Sequence, residues 1–575
     1  MMENIKEIPY GIANFVEVAE QNMYYVDKTM YLPLLEKQPR NLFFIRPRRF
    51  GKSIFLSMLR AYYDIAQKEK FQKRFGNLWI GSRPTPLQGK FQVVYLDFSR
   101  ASGGSGSLEE NFNNYCGMVM DLFGKVYEPY YFPGFAQKME EQPDFVSKLN
   151  YLNLHAAESG MRLYLIIDEY DNFTNIVLNE QGKDIYHALT HASGFYREIF
   201  KKFKGMFERI FMTGVSPVTL DDLTSGFNIG TNYSLSPKFN EMTGFTEEEV
   251  REMLDYYRSV LPFNHTTDEL IKVMKPWYDN YCFAVKSYGK TTMYNSVMVL
   301  NFISNYIDNE YDIPDSMVET NIRIDYDKLR MLIRHDKEFA HDASIIQQLV
   351  TQGFVIGTLN ENFPAERIND PDNFLSLLFY FGMVTIDGTY KGETKFIVPN
   401  EVVRDQMYTY LLDTYKENDL VYDRYSKGKL ESKLAYDGQF KLYFEYIADC
   451  LKKYSSQRDK QKGEAFVHGF TLAMTSQNKF YRPISELDND GGYADIFLSP
   501  LCDIYKDMVD SYIIELKYCK SQTTDEQVKK LFEEASAQIS RYADSDMVRE
   551  AVKTTKLHKL VVIYRGAEMV ACEEI

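Results

Sequence analysis

The sequence predicts an α/β fold built around more than one core. Two observations carry this. Between Asn41 and Ile210, short apolar runs alternate with longer amphipathic ones. A second alternation of the same kind starts near residue 434, beyond a charged stretch, and runs to the end of the chain. Strands separated by helical segments imply a parallel sheet covered by helices. At 575 residues the chain exceeds what one ordinary core organises, so roughly three domains are expected.

Asn41-Leu-Phe-Phe-Ile45 reads as the first buried strand. Ser53 to Tyr63 reads as a helix, because Phe55, Leu59 and Tyr62 fall on one face. Phe91 to Asp97, Leu163 to Ile167 and Arg209 to Thr213 supply three further strands. Ala101-Ser-Gly-Gly-Ser-Gly-Ser107 reads as a flexible surface loop, although it follows a strand end, where open α/β sheets place ligands. Thr246 followed by Glu247, Glu248 and Glu249 is a capped helix start, and a helical lid-like region is expected from residue 246 to 310. Residues 311–433 read as helices with a hairpin near Lys395 to Pro399 and a helix from Glu401, a winged-helix-like order. In residues 434–575 helices are expected over Phe440 to Phe470, with interruptions, and Asp525 to Tyr542. Strands are expected at Tyr493 to Leu498, Ser511 to Lys517 and Lys559 to Tyr564.

Composition narrows the class. Apolar residues make up 45% and charged residues 26%, a globular balance with ample core material. A net charge of −15 argues against a protein that coats nucleic acid without regard to sequence. Lys452, Lys453, Arg458, Lys460 and Lys462 could form a local basic groove, but a solvated helix face is the simpler reading. The six cysteines form no C-x-x-C pair, which points away from a disulfide framework or zinc knuckle. The start of the chain lacks an apolar signal core, and no apolar run reaches the roughly 18 residues of a membrane span. A cytoplasmic protein is expected.

Arg46-Pro47-Arg48-Arg49-Phe50-Gly51-Lys52-Ser53 sits between a strand and a helix, where backbone N–H groups and the helix dipole favour anions. Gly51, Lys52 and Ser53 occupy the positions of a phosphate-binding loop, with Lys52 for the terminal phosphates of ATP and Ser53 for Mg²⁺. The general pattern begins with Gly, whereas this one begins with Arg46, and Pro47 removes an N–H donor. Arg46, Arg48 and Arg49 would compensate with positive charge. The strand ending in Asp168-Glu169 supplies the second half of such a site. Asp168 would join the Mg²⁺ shell, and Glu169 would orient or deprotonate the attacking water. Thr213, ending the fourth strand, could sense the terminal phosphate, or could simply be a β-branched strand end. No arginine stands out as a finger.

A second constellation lies near the C-terminus. Asp495 follows a Gly-rich turn, and Glu515 and Lys517 are two apart on one strand, hence on one face. Two carboxylates around one Mg²⁺, with Lys517 beside the scissile phosphate, suit metal-assisted phosphodiester hydrolysis. Glu464 could add a carboxylate, and Gln538 could approach the same centre. Taken alone, Glu-x-Lys would be an ordinary cross-face ion pair.

Ile8-Pro-Tyr-Gly11, Tyr25-Val-Asp-Lys-Thr29, Arg46 to Ser53, Asp168-Glu-Tyr-Asp171, Met242 to Val250, Trp277 to Tyr281 and Tyr294-Asn295 together resemble the AAA-ATPase-like family. Asp495 and Glu515-Leu-Lys517 resemble the PD-(D/E)XK nuclease domain commonly fused to it. The resemblance implies a P-loop NTPase sheet in residues 1–245 and a restriction-endonuclease-like domain in 434–575. It implies that Arg46 is normal at its position and that Asp27 and Lys28 lie near the nucleotide. It also implies DNA as substrate, with Mg²⁺ or Mn²⁺. Some members carry Arg near the acid, where this chain has Tyr493-Ala494. Two functions follow: an ATP-regulated nuclease, or a nucleotide-dependent switch, compatible with a homo-oligomer, whose nuclease-like domain binds without cutting.

Overall fold

In the computed structural model, the N-terminal strands and helices form where the apolar periodicity places them. The structure describes residues 5–101, 107–172, 176, 194–218, 230–314, 316–318, 343–364, 367, 370–417, 420–456, 463–476, 478–489, 492–502, 504–542 and 546–575. Positions 102–106 of the Gly/Ser-rich loop, and Arg458, Lys460 and Lys462 of the basic stretch, lie outside the described residues. Lys452 of that stretch is bound to Glu568 Oε1 at 2.5 Å. Among the described residues no helix is long and apolar enough to cross a membrane. The chain divides into two compact units, one of Met1–Asp312, Val318–Lys337 and Ile356–Pro399, the other of Ile313–Met317, Glu338–Val355 and Asn400–Ile575.

The first unit holds strands β1 (Asn41–Ile45), β2 (Gln92–Asp97), β3 (Leu163–Asp168), β4 (Arg209–Gly214) and β5 (Thr231–Asn232). They form one sheet in the order β2-β3-β4-β1-β5, with every pairing parallel. Strands buried on both faces read as continuous apolar runs, and β3 is buried along its whole length. Helix α1 (Lys52–Tyr63) turns Phe55, Leu56, Leu59 and Tyr62 into a core shared with Phe44, Val93, Tyr164 and Phe211. Helices α2 (Leu108–Tyr127), α3 (Phe145–Glu158) and α4 (Phe195–Phe203) follow.

Helix α5 (Glu247–Val260) begins in a capping box. Thr246 Oγ1 accepts from the Glu249 N–H, and the Glu249 carboxylate accepts from the Thr246 N–H. Helices α6 (Thr267–Tyr278) and α7 (Ser296–Asp308) complete the helical stretch. Helix α8 (Ala343–Gln352) precedes β6 (Phe354–Gly357), and α9 (Pro371–Tyr380) leads into the hairpin β7 (Thr385–Tyr390) and β8 (Glu393–Ile397). These three strands form a sheet ordered β6-β8-β7. In α9, residues Asn373 to Tyr380 are all buried, so this helix has no face open for reading a nucleic-acid groove.

The second unit contains α10 (Glu401–Glu417), α11 (Arg424–Asp437), α12 (Phe440–Ser456), α13 (Glu464–Ser476) and α14 (Asp525–Tyr542). Its sheet comprises β9 (Tyr481–Asn489), β10 (Gly492–Pro500), β11 (Asp510–Cys519), β12 (Lys556–Arg565) and β13 (Glu568–Glu574). The order is β13-β12-β11-β10-β9, with β11 and β12 parallel and the other neighbours antiparallel. Helix α14 packs against β10, β11 and β12, with Ile539 meeting Ile513 and Phe497.

The carboxyl ends of β3 and β4 are tied together by Asp171. Its carboxylate accepts from the Val215 N–H at 3.1 Å and the Ser216 N–H at 2.7 Å. Tyr170 adds its hydroxyl to the Ser216 carbonyl at 2.8 Å. Replacing Asp171 with Ala should leave buried donors unmet and destabilise the protein by roughly 1–3 kcal/mol. Chemical denaturation measures this, and an unchanged midpoint would show that the tie contributes nothing.

Candidate nucleotide site and candidate phosphodiesterase site

The loop between β1 and α1 makes a tight turn that needs left-handed backbone at Arg49 (φ 67°) and Gly51 (φ 78°). Glycine meets this at no steric cost, whereas Arg49 carries strain of the kind found at ligand-binding loops. The loop's carbonyls are occupied one by one. Arg46 O and Pro47 O accept from Lys52 Nζ at 3.0 and 2.9 Å. Arg49 O accepts from Ser296 Oγ at 3.0 Å and from the Val297 N–H at 3.3 Å. Phe50 O accepts from the Gly244 N–H at 2.9 Å. Acceptors held in this way leave the N–H groups at the start of α1, which have no intrahelical partner, to define the loop's anion-binding character.

A cavity of about 420 Å³ opens on this loop. Arg48, Arg49, Gly51, Lys52, Ser53 and Glu169 are among the residues that line it. Tyr25, Val26, Met242, Met253, Val297 and Leu300 add apolar surface to the same lining. Lys52 is only 7% exposed, and burial pushes its ammonium below the usual lysine value, with Glu169 and Asp168 partly restoring it. Burial likewise pushes Glu169 above the usual glutamate value, and Lys52 and Arg48 pull it back. Glu169 has φ 51°, a strained position directly after the strand.

Asp168 lies at the end of β3, with Oδ1 accepting from Thr213 Oγ1 at 2.8 Å and from the Glu169 N–H at 3.0 Å. Asp168 and Ser53 share a second cavity of about 630 Å³ with Asp97, Arg60 and Tyr95. The Ser53 hydroxyl and the Asp168 carboxylate are hard oxygen donors lining one cavity, so their chemistry fits a Mg²⁺ ion. Thr213 is turned to Asp168 and buried.

Arg46 differs from the expectation. Its guanidinium does not line the nucleotide cavity. It donates to Ile45 O at 3.0 Å, Ser234 O at 2.6 Å and Phe239 O at 3.0 Å, because an always-charged fork can be buried only where carbonyls receive it. Lys28 lines the cavity and is bound to Glu249 at 2.6 Å and to Glu241 O at 2.9 Å. Asp27 instead caps the turn at Thr29, accepting from its N–H at 2.8 Å, and also accepts from the Trp79 N–H. Among the cavity's lining residues, Met242 to Phe245 fall within a stretch that carries the family resemblance, but nothing in their chemistry marked them as cavity lining. Ser296, Val297 and Leu300 escaped motif reading, because lining residues of this kind carry no chemical signature.

In the second unit, Glu515 and Lys517 share one face of β11, and Lys517 Nζ lies 2.7 Å from Glu515 Oε1. Glu515 is 1% exposed. Asp495 belongs to β10, and its side chain lies outside the described residues. The antiparallel register pairs Ile496 with Ile514, and continuing it one step sets Asp495 opposite Glu515. Gln538 lies on α14, which covers this face, and its Oε1 is buried with no hydrogen-bond partner among the described residues. A buried acceptor without a partner, on the helix that covers the face bearing Glu515, suits a site that gathers water or a cation. Glu464 opens α13 and is exposed. Among the described residues no group of three or more His, Cys, Asp or Glu side chains is placed so that it could hold a metal ion.

Removing the Thr213 hydroxyl should cost about 1–3 kcal/mol, since the buried Asp168 carboxylate loses a donor. Thr213→Val should show this loss in denaturant, and Thr213→Ser should recover it. Equal loss in both variants would mean that packing, not the hydroxyl, is what matters.

Residues 9–224 match the sequence model of a predicted AAA-ATPase family, and residues 462–574 match that of the PD-(D/E)XK nuclease superfamily. An uncharacterised protein of the vnfD 5′ region in Azotobacter chroococcum mcd 1 is 27% identical over 283 residues, covering 48% of this chain and 48% of that protein. The chain therefore spans about half the length of this curated relative. The Aeropyrum pernix ORC2 protein, solved as ADPNP–ADP complexes, aligns over 67% of this chain and 93% of its own at 12% identity and a TM-score of 0.29. The Aeropyrum pernix ORC1 protein in complex with DNA aligns over 72% and 96% at 9% identity and a TM-score of 0.25. Scores this low do not establish a shared architecture. The family matches do: the chain carries an AAA-ATPase-like domain at residues 9–224 and a PD-(D/E)XK nuclease superfamily domain at residues 462–574.

Proposed function

We propose that this protein binds and hydrolyses ATP in its N-terminal unit and that nucleotide state regulates a metal-dependent DNA nuclease site at Asp495, Glu515 and Lys517. The observation that carries the nucleotide half is the cavity at the start of α1, whose lining combines Arg48, Arg49 and Lys52 with apolar residues such as Met242, Val297 and Leu300. That combination suits a triphosphate joined to a base. In this reading Arg49, Gly51, Lys52 and Ser53 receive the phosphates. Ser53 and Asp168 would hold Mg²⁺, whose charge offsets that of the phosphate oxygens. Thr213 holds Asp168 in place and reports on the terminal phosphate through it. Glu169 accepts the proton of the attacking water.

The nuclease half rests on the buried Glu515–Lys517 pair and the register of Asp495. Asp495, Glu515 and Glu464 would hold Mg²⁺ or Mn²⁺, which supplies Lewis-acid polarisation of a phosphodiester. Lys517 orients water and offsets charge building on the phosphate. The domains in this account are 1–245 for nucleotide, 246–310 as a lid-like region, 311–433 as a winged-helix-like region and 434–575 for cleavage, in a cytoplasmic protein. A second reading, a nucleotide-dependent switch that binds nucleic acid or a partner without cutting, is favoured by the net charge of −15 and the exposed Glu464.

Purified full-length protein should cleave DNA with Mn²⁺ or Mg²⁺ and ATP, and Glu515→Ala should reduce cleavage at least 100-fold. If wild type and Glu515→Ala are equally inert on linear, nicked and single-stranded DNA, the second reading holds. For ATP turnover, the rate should be full above the raised pKa of Glu169 and fall as pH drops through it. Glu169→Gln should lower turnover about 10²-fold or more and remove that acid limb. An unchanged limb in Glu169→Gln assigns the base elsewhere.

A further inference from the structure

We infer that Arg46 is a positioning residue that clamps the phosphate loop to residues 371–397, so that nucleotide binding and the docking of that segment are coupled. The inference rests on nucleotide binding at Lys52, but the clamp itself stands on separate geometry. Arg46 is 1% exposed, although it begins a loop whose general pattern has glycine there. Its guanidinium lies between two rings, 4.2 Å from the centroid of Phe44 and 4.2 Å from that of Phe283. Its three carbonyl partners come from β1 and from the segment after β5. Burial pushes its pKa down to about 9, the mark of a cation taken fully out of water.

Phe283 leads onward to residues 371–397. Phe283 meets Phe379 of α9 edge to face at 6.4 Å, and its N–H donates to Asn240 Oδ1 at 3.0 Å. The neighbouring Cys282 N–H donates to Thr385 Oγ1 of β7 at 2.7 Å. Pro47, the next loop residue, sits against Gly382, where an added Cβ would lie 2.9 Å from both Pro47 Cβ and Cγ. Gly382 also has φ +78°. Of the two departures from a glycine-first loop, Pro47 therefore meets this segment directly at Gly382, and Arg46 reaches it through Phe283. On its backbone side, Arg46 gives its carbonyl to Lys52 Nζ. One residue thus holds the phosphate-seeking ammonium through its carbonyl and, through its side chain, the Phe283 ring that packs on Phe379. A terminal phosphate that draws Lys52 off this carbonyl alters the loop at the point where Arg46 and Pro47 are clamped.

Amide hydrogen exchange on the full chain, with and without ATP, tests this alongside ATP affinity. Wild type should show an ATP-induced change in exchange across residues 379–386. Arg46→Lys keeps the charge but loses the planar fork and much of the ring stacking. It should raise basal exchange at 233–240 and 379–386, weaken ATP binding at least tenfold and abolish the ATP-induced change. Gly382→Ala approaches the clamp from the other side, outside the cavity lining, and should also weaken ATP binding several-fold. Wild-type exchange at 379–386 that ignores ATP overturns the coupling. So do Arg46→Lys or Gly382→Ala proteins that bind ATP as wild type does. If wild type binds no ATP, the nucleotide reading fails, and the basal exchange of Arg46→Lys still decides the clamp: unchanged exchange overturns it.

Discussion

Lys52 places an ammonium inside the protein, at the amino end of a helix, where the helix dipole is itself positive. Neither burial nor that dipole favours a cation, and much of the N-terminal unit offsets the cost. Two loop carbonyls take hydrogen bonds from its Nζ. Asp168 and Glu169 stand at the end of β3, two strands from β1 in the sheet, and support the charge. Each of those acids needs support in turn, from Thr213 for Asp168 and from Lys52 and Arg48 for Glu169. The parallel sheet makes this arrangement available. Parallel strands bring their carboxyl ends to one edge, and the β1-to-α1 loop crosses that edge. Helix N-terminus, lysine and arginines concentrate positive charge there, and an anion would relieve it.

The second unit meets a similar constraint by another route. Glu515 is a carboxylate in the middle strand of a five-stranded sheet, with helix α14 over its face. Such a group is costly without a partner, and the Lys517 ammonium answers part of that need. Its burial is what separates this Glu-x-Lys from the many exposed pairs of the same pattern. The same reasoning assigns Arg46 to structure, since its side chain is buried against three carbonyls and two rings and is not among the groups lining the cavity.

Much of this was legible in the sequence. The runs at Asn41 to Ile45 and Leu163 to Ile167 marked strands because parallel strands are apolar on both faces. The Thr246 helix start was legible because its cap is local chemistry. Strands β9 and β13 were not. They are the edges of the second sheet, and their sequences, with Arg482, Pro483, Glu486 and Asp488 in one and Glu568, Glu573 and Glu574 in the other, carry the charges and proline that edges tolerate. The Arg46 clamp could not be read either. A sequence shows a charge beside a phosphate loop, but only the fold brings Ser234, Phe239 and Phe283 around it.

We propose that Ser53 with Asp168, and Asp495 with Glu515, are two separate divalent-cation sites. Anomalous diffraction from crystals grown with Mn²⁺ and a non-hydrolysable ATP analogue tests it most directly. The account predicts two manganese peaks, one beside the analogue's phosphates near Ser53 and one between Asp495 and Glu515, each with oxygen ligands at about 2–2.5 Å. Bound analogue with no manganese between Asp495 and Glu515, or no analogue at the Lys52 loop, would contradict it.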